Sequence, residues 1–179
     1  MTNAPKIHCD AWEDGKEIPI EYTAPRGANI QPPASTQPEN RQPHFTFTNI
    51  PEGTKAIALV VHDVLDGDED EDGNRPGWTH WTALVSESGE VLKNGKTDTG
   101  TDGWVGPYPA QNGQYHCTAY FLSETFPDIE LTRANILEVF ENTGLGFANM
   151  IGTYINPQAK ANDTHPDIGT LDEHIAEAN

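Results

Sequence analysis

The alternation of apolar and polar residues along the chain predicts a protein built mainly of β-strands. Residues 44 to 48, His-Phe-Thr-Phe-Thr, alternate as a strand with one buried face does. Residues 56 to 62 form a continuous apolar run, which is typical of a central strand covered on both faces. Three further segments have the composition of strands: residues 80–85, 114–122 and 151–155.

One amphipathic helix is predicted over residues 132 to 143. Its apolar residues recur at mixed helical spacing, and Gly144 is placed to end it as a C-terminal cap. The last residues, 167 to 179, are predicted to form a short polar helix or a frayed tail. The sequence contains no internal repeat, so we expect one unit rather than an array.

The connections between these elements suggest one functional end. Residues 24 to 43 are rich in proline and are expected to form a long loop, and residues 64 to 77 form an acidic, glycine-containing connection. Asp63 ends one predicted strand and His80 begins the next. If these strands pair antiparallel, both side chains lie at the same end of a sheet, where loops commonly supply function.

Length and charge narrow the possible classes of protein. A chain of 179 residues fits a single domain, which we assign to residues 1–179. Ten Lys and Arg residues against 28 Asp and Glu residues give a formal net charge of −18. Because the basic residues are scattered singly, binding to nucleic acid or to anionic membranes is disfavoured. In molar salt the Debye length is about 3 Å, so repulsion among the acidic residues costs little stability. A salt-loving source is therefore a hypothesis.

Location and cysteine chemistry follow from what the sequence lacks. No stretch approaches the roughly 20 apolar residues of a membrane span, and the first residues lack the order of a signal peptide, which predicts a cytoplasmic protein. Cys9 and Cys117 are far apart and form no Cys-x-x-Cys pair, so we expect reduced thiols. Cys117, inside a predicted strand, is expected to be a small buried residue rather than a nucleophile.

Familiar catalytic and metal-binding motifs are incomplete or missing in the sequence. Residues 68–73 match the opening of a calcium-binding loop, but Thr79 stands at the twelfth position, where a bidentate glutamate is needed. A solvated acidic loop is the favoured interpretation, and a calcium site is the alternative. The seven histidines have no zinc-site spacing, and no nucleophile elbow or phosphate-binding loop is present. We therefore predict no catalytic residue, no metal and no cofactor.

Candidate binding residues cluster at the ends of two predicted strands. Trp78, His80 and Trp81 place an imidazole among aromatic side chains, where a structural role and a ligand-binding role are equally open. A carboxylate such as Asp63 within hydrogen-bonding reach would favour the imidazolium, which is a donor for an anion. Residues 103 to 109 combine glycines and prolines, which suits either a pocket wall or an ordinary tight loop.

Several segments occur in an order and spacing that carry a family resemblance. They are Ala58-Leu59-Val60-Val61-His62-Asp63, Trp78-Thr79-His80-Trp81, Gly103-Trp104-Val105-Gly106-Pro107-Tyr108-Pro109, Tyr115 with Tyr120-Phe121-Leu122, and Ile151-Gly152-Thr153-Tyr154-Ile155. Together they resemble the phosphatidylethanolamine-binding protein family, and most closely its bacterial and archaeal Raf-kinase-inhibitor-like branch. The resemblance covers residues 40 to 156.

The resemblance implies an antiparallel β-sandwich of one large and one smaller sheet with peripheral short helices. It also implies a non-enzymatic pocket for small anions, phosphorylated headgroups or phosphorylated protein segments. In this pocket Asp63 would receive an ammonium or hold His80 protonated, while His80, Tyr115 and amides near Gly106 would donate to an oxyanion. The ligand-binding residues implied are Asp63, Trp78, His80, Gly106, Pro107, Tyr108 and Tyr115.

The sequence departs from the family pattern at the expected pocket. Gly113 stands where the family has a second pocket histidine, and Tyr108 stands where it has a cysteine. His116 is not expected to replace that histidine, because positions 113 and 115 share one face of a strand while 116 points to the other. These departures imply a weakened, enlarged or retuned pocket.

The implied partners are a small anionic or phosphorylated ligand, and the resemblance also permits a protein partner and a homodimer. Two alternative functions stay open. In one, the chain is an enzyme in which Asp63 and His80 act as base and orienting group on a small substrate. In the other, it inhibits another enzyme by placing the acidic loop of residues 66–72 against a basic partner.

Overall fold

The secondary structure of the described chain is mostly β-strand. A computed structural model describes residues 3–24, 38–65, 71, 76–107 and 112–155. The strands are β1 (Lys6–Cys9), β2 (Lys16–Glu17), β3 (Phe45–Thr48), β4 (Ala56–Asp63), β5 (Trp78–Val85), β6 (Val91–Asn94), β7 (Gly113–Leu122) and β8 (Gly144–Tyr154). The helical elements in the described residues are a 3-10 turn (Ile20–Tyr22) and the α-helix α1 (Arg133–Thr143).

The strands form one large and one small sheet. The six-stranded sheet has the order β2-β8-β7-β4-β5-β6, and β1 pairs with β3 in a two-stranded sheet. Neighbouring strands are antiparallel apart from β2 and β8, which are parallel. The predicted fold class, mainly β with one large and one smaller sheet, is confirmed. The continuous apolar run lies in β4, between β5 and β7, where both faces are covered.

The small sheet packs on one face of the large sheet and closes the main hydrophobic core. Phe47 of β3 meets Phe121 of β7 edge to face, with ring centroids 6.0 Å apart. The Phe45 ring packs against the Trp81 ring of β5, with centroids 6.4 Å apart. All four rings are buried, and burial of a large apolar side chain stabilises a fold by roughly 1.5–3 kcal/mol. These aromatic contacts therefore fix how the two sheets face one another.

Helix α1 covers the opposite face of the large sheet. Ile136 packs with Ala58 and Val60 of β4 in a second buried cluster. The helix begins at Arg133, one residue after the predicted start, and the Thr132 side chain caps it by accepting a hydrogen bond from the Asn135 amide at 3.2 Å. With α1 on one side and the small sheet on the other, both faces of β4 are covered at the centre of the fold.

The predicted helix end at Gly144 is confirmed, but the glycine serves close packing rather than a left-handed cap. Its φ of −67° and ψ of 130° are extended. A Cβ at this position would lie 2.5 Å from the Phe140 ring, so glycine lets the chain pass the ring and continue directly into β8. The prediction that the last strand begins at residue 151 is therefore wrong. Exposed residues at the start of β8 hide its alternation in the sequence.

Other element boundaries also differ from the prediction. Strands β1, β2 and β6 were not predicted, because each is short and lies in the small sheet or at an edge of the large one. Strand β5 begins at Trp78 rather than at His80. The predicted tail over 167–179 lies outside the described residues, as do residues 68–73 of the calcium-like loop apart from Glu71.

Both cysteines are free thiols, as expected. Cys117 is fully buried inside β7, and this burial raises the pKa of its thiol well above the ordinary value. Burial likewise raises the pKa of Cys9 to about 11. A thiol with a raised pKa is a poor nucleophile at neutral pH, which agrees with a packing role for Cys117.

Among the described residues, no helix has the length and apolar character to cross a membrane.

Candidate functional site

Asp63 lies at the end of β4 with a predicted site residue directly opposite it on each side. In the antiparallel register it faces Trp78 of β5 and Tyr115 of β7. The Asp63 side chain is 2% exposed and Tyr115 is fully buried. One carboxylate oxygen, Oδ1, accepts a hydrogen bond from the Leu65 amide at 2.9 Å. The register therefore brings a carboxylate, an indole and a phenol together at one end of the large sheet.

A β-bulge brings His80 into the same group. Val61 pairs with Trp81 and His62 pairs with Thr79, which leaves His80 as the extra residue on β5. Bulges redirect side chains and are frequent beside functional sites. The His80 ring lies edge-on to Trp78, with centroids 4.4 Å apart, and to Tyr115, at 4.9 Å. The expected proximity of His80 to the end of β4 is thus found, through a bulge that the sequence pattern does not reveal.

The orientation of the His80 ring is set by the backbone of Val105. His80 Nδ1 lies 2.6 Å from the Val105 carbonyl oxygen. Because a carbonyl oxygen only accepts hydrogen bonds, Nδ1 carries the proton. The Val105 amide donates in return to the His80 carbonyl at 3.0 Å. In the neutral ring, Nε2 is therefore the nitrogen that carries no proton.

Gly106 and Pro107 form a buried wall beside this contact. A Cβ on Gly106 would lie 2.1 Å from the Tyr22 carbonyl oxygen, so only glycine allows this close approach. The Gly106 amide donates to Asn40 Oδ1 at 2.7 Å. The Gly106 amide is therefore engaged within the protein, and the expectation that amides near Gly106 donate to an oxyanion stays a prediction for its neighbours. Tyr108, also predicted in the pocket, lies outside the described residues.

Gly113 leaves room for Tyr115 beside Asp63. A Cβ at position 113 would lie 2.7 Å from both Cε2 and the hydroxyl oxygen of Tyr115, and 2.8 Å from Asp63 Oδ2. The phenol and the carboxylate thus occupy the space that any side chain at 113 would need. Gly113, which stands where the family pattern has a histidine, therefore has the Tyr115 phenol in the space beside it.

His62 and His116 lie on the other face of the large sheet, directly opposite each other on β4 and β7. Burial, reinforced by the charge of Arg133, lowers the pKa of His62 to about 4. Burial also lowers the pKa of His116. Both rings are therefore neutral at pH 7 and add no positive charge to this end of the sheet. As expected, His116 points to the face of β7 opposite to that of positions 113 and 115.

Side chains that bind metal ions do not cluster in the described part of the chain. It contains no group of three or more His, Cys, Asp or Glu side chains arranged to hold a metal ion.

Asn40 is a site residue that the sequence interpretation missed. Its side chain contacts Trp104 and Gly106 from the proline-rich segment. The sequence offers one signal for this residue, because asparagine tolerates a left-handed backbone better than most residues do. That preference does not show which residues its side chain contacts.

Comparison with known proteins gives a consistent family assignment. The family model described as phosphatidylethanolamine-binding protein matches residues 9–155. A Chlamydia muridarum protein named UPF0098 protein is 30% identical over 161 residues, covering 83% of this chain and 97% of that protein. A UPF0098 protein from Methanothermobacter thermautotrophicus is 27% identical, covering 80% and 94% respectively.

Solved structures share the fold. The crystal structure of a phosphatidylethanolamine-binding protein homolog from Chlamydia trachomatis superposes with a TM-score of 0.68 at 24% identity. Escherichia coli YbcL, described as a new member of the mammalian phosphatidylethanolamine-binding protein family, superposes with a TM-score of 0.66 at 17% identity. Each comparison covers 86% of this chain and 99% of the other chain.

Proposed function

The chain belongs to the phosphatidylethanolamine-binding protein family, and from this premise we propose that it is a non-enzymatic binding protein with a pocket for a small phosphate-bearing ligand. The pocket is formed by Asp63, His80 and Tyr115, with Trp78 as its outer wall. The observation that supports it most is the arrangement of His80, whose ring is held at Nδ1 by Val105 and lies edge-on to Tyr115.

The donors proposed for the phosphate are a histidine ring and a phenol. His80 donates through Nε2 when it is protonated, and Tyr115 donates through its hydroxyl. Such donors suit a chain with a net charge of −18, in which clustered lysines and arginines are absent. Asp63 favours the protonated form of His80 by its negative charge. The same carboxylate accepts from an ammonium group, so a zwitterionic phosphoethanolamine headgroup engages both charges of the pocket.

Trp78 controls access in this proposal. His80 is 4% exposed, whereas Trp78 is half-buried and its ring lies 4.4 Å from the His80 ring. A ligand therefore reaches His80 by stacking on the indole or by turning it aside. Aromatic side chains at such positions supply contact area at low conformational cost. The remaining wall, formed by Gly106 and Pro107, is buried and shapes the pocket without donating through the Gly106 amide.

Calorimetric titration with inorganic phosphate, phosphoethanolamine and ethanolamine tests this proposal. We expect His80→Ala to weaken phosphate binding by at least about tenfold, because a hydrogen bond to a charged group contributes roughly 1.5–3 kcal/mol. The matched control is His44→Ala, because His44 is an exposed histidine outside the site. Asp63→Asn should weaken phosphoethanolamine more than phosphate. Equal affinities in the wild type and His80→Ala, or no phosphate binding by the wild type, would refute the pocket.

A further inference from the structure

Asn40 adopts an unusual backbone conformation that tertiary contacts hold in place. Its φ is +53°, in the left-handed region that asparagine enters more easily than other residues with a Cβ. Its amide donates to the Thr23 carbonyl at 2.9 Å. A residue kept in a sparsely populated conformation by its surroundings is a candidate for a specific role.

The Asn40 side chain bonds to the peptide groups on both sides of Val105. Nδ2 donates to the Trp104 carbonyl at 3.2 Å, and Oδ1 accepts from the Gly106 amide at 2.7 Å. Val105, between these two residues, is the one whose carbonyl holds His80 Nδ1 at 2.6 Å. One side-chain amide therefore fixes the position of the carbonyl that orients the His80 ring.

Residues 104–107 form the turn around Val105, and other contacts hold the two ends of this turn rather than its middle. Trp104 Nε1 donates to the Tyr22 carbonyl at 3.1 Å. The Pro107 carbonyl accepts from the Ala24 amide at 3.1 Å. Both bonds connect the turn to residues 22–24, to which Asn40 is itself joined through Thr23. Asn40 thus connects the N-terminal segment to the point where the turn meets His80.

We propose that Asn40 is a positioning residue for the His80 pocket. It places the Val105 carbonyl so that His80 keeps its proton on Nδ1 and presents Nε2 to a phosphate-bearing ligand. The ligand part of this proposal rests on the proposed function. The part that concerns the orientation and tautomer of His80 does not require a ligand, so the two parts are tested separately.

Asn40→Gly is the most informative variant, because glycine keeps the left-handed backbone at no steric cost and removes both side-chain hydrogen bonds. Asn49→Gly is its matched control. Asn49 is also left-handed, with φ +55°, and its Nδ2 donates to the Ala4 carbonyl at 3.0 Å, away from the pocket. Asn40→Asp keeps an acceptor for the Gly106 amide but loses the donor to Trp104, and it serves as the milder variant if Asn40→Gly folds poorly.

The readouts are the ¹⁵N signals of the His80 ring and the Gly106 amide, together with phosphate affinity. We expect Asn40→Gly to shift both sets of signals and to weaken phosphate binding by about fivefold, the effect of losing one net hydrogen bond. Asn49→Gly should change neither, and Asn40→Asp should lie between. Unchanged His80 ring signals in Asn40→Gly would overturn the positioning role. If the wild type does not bind phosphate, the proposed function fails, while the ring signals still decide the role of Asn40.

Discussion

Replacing Gly77 with alanine is expected to lower the free energy of unfolding by about 3 kcal/mol or more. Gly77 has φ +66°, where an alanine is strained by roughly 1–2 kcal/mol. The new methyl group would also lie 2.3 Å from His62 Cε1 and 2.5 Å from the Asp63 carbonyl oxygen. Because that oxygen belongs to the backbone of a central strand, relief of the collision requires the end of β4 or the start of β5 to move.

Gly100 provides the matched control for this substitution. It has φ +80°, and no atom lies within 4 Å of the place where its Cβ would stand. Gly100→Ala should therefore lose only the backbone strain, roughly 1–2 kcal/mol. Urea unfolding of the two variants measures the difference. If both lose the same stability, the close packing of Gly77 against His62 and Asp63 is not as described.

Replacing Gly113 with alanine is expected to weaken phosphate binding by about tenfold, because it displaces a donor to a charged ligand. The methyl group would lie 2.7 Å from the Tyr115 hydroxyl oxygen and 2.8 Å from Asp63 Oδ2. Backbone strain is not involved, since Gly113 is not among the described residues with positive φ. The phenol must therefore leave its place beside the carboxylate, and the proposed pocket loses its second donor.

Gly144→Ala controls for crowding without any effect on the pocket. A Cβ at position 144 would lie 2.5 Å from the Phe140 ring, and Gly144 pairs with Leu122 at the end of β7 opposite to Gly113. Both variants should lose stability in urea unfolding, but only Gly113→Ala should lose phosphate affinity by calorimetry. A Gly113→Ala protein that binds phosphate as tightly as the wild type would rule out Tyr115 as a donor.

The strands that carry the site could be predicted because their patterns are local. The uninterrupted apolar run of β4 reflects its place between β5 and β7. The antiparallel pairing of β4 and β5 then placed Asp63 near the start of the next strand, as expected from the chain order alone. The burial of Tyr115 and Cys117 on one face of β7, with His116 on the other, follows from the two-residue period of a strand.

The contacts around His80 could not be predicted because they depend on residues that are distant in sequence. The bulge that makes His80 the extra residue of β5 is set by the register with β4. The Gly106 amide is taken by Asn40, a residue 66 positions earlier in the chain. Neither contact leaves a periodic pattern. Short strands such as β2, which consists of two residues, are also too brief to show one.

The most direct test of the proposed pocket is a phosphate titration of ¹⁵N-labelled protein in which the ring signals of the histidines are followed. We predict that the His80 signals shift to saturation with the same affinity that calorimetry gives. The signals of His62 and His116, on the opposite face of the large sheet, should keep their positions. Phosphate binding that moves the His62 or His116 signals and leaves those of His80 unchanged would contradict the pocket.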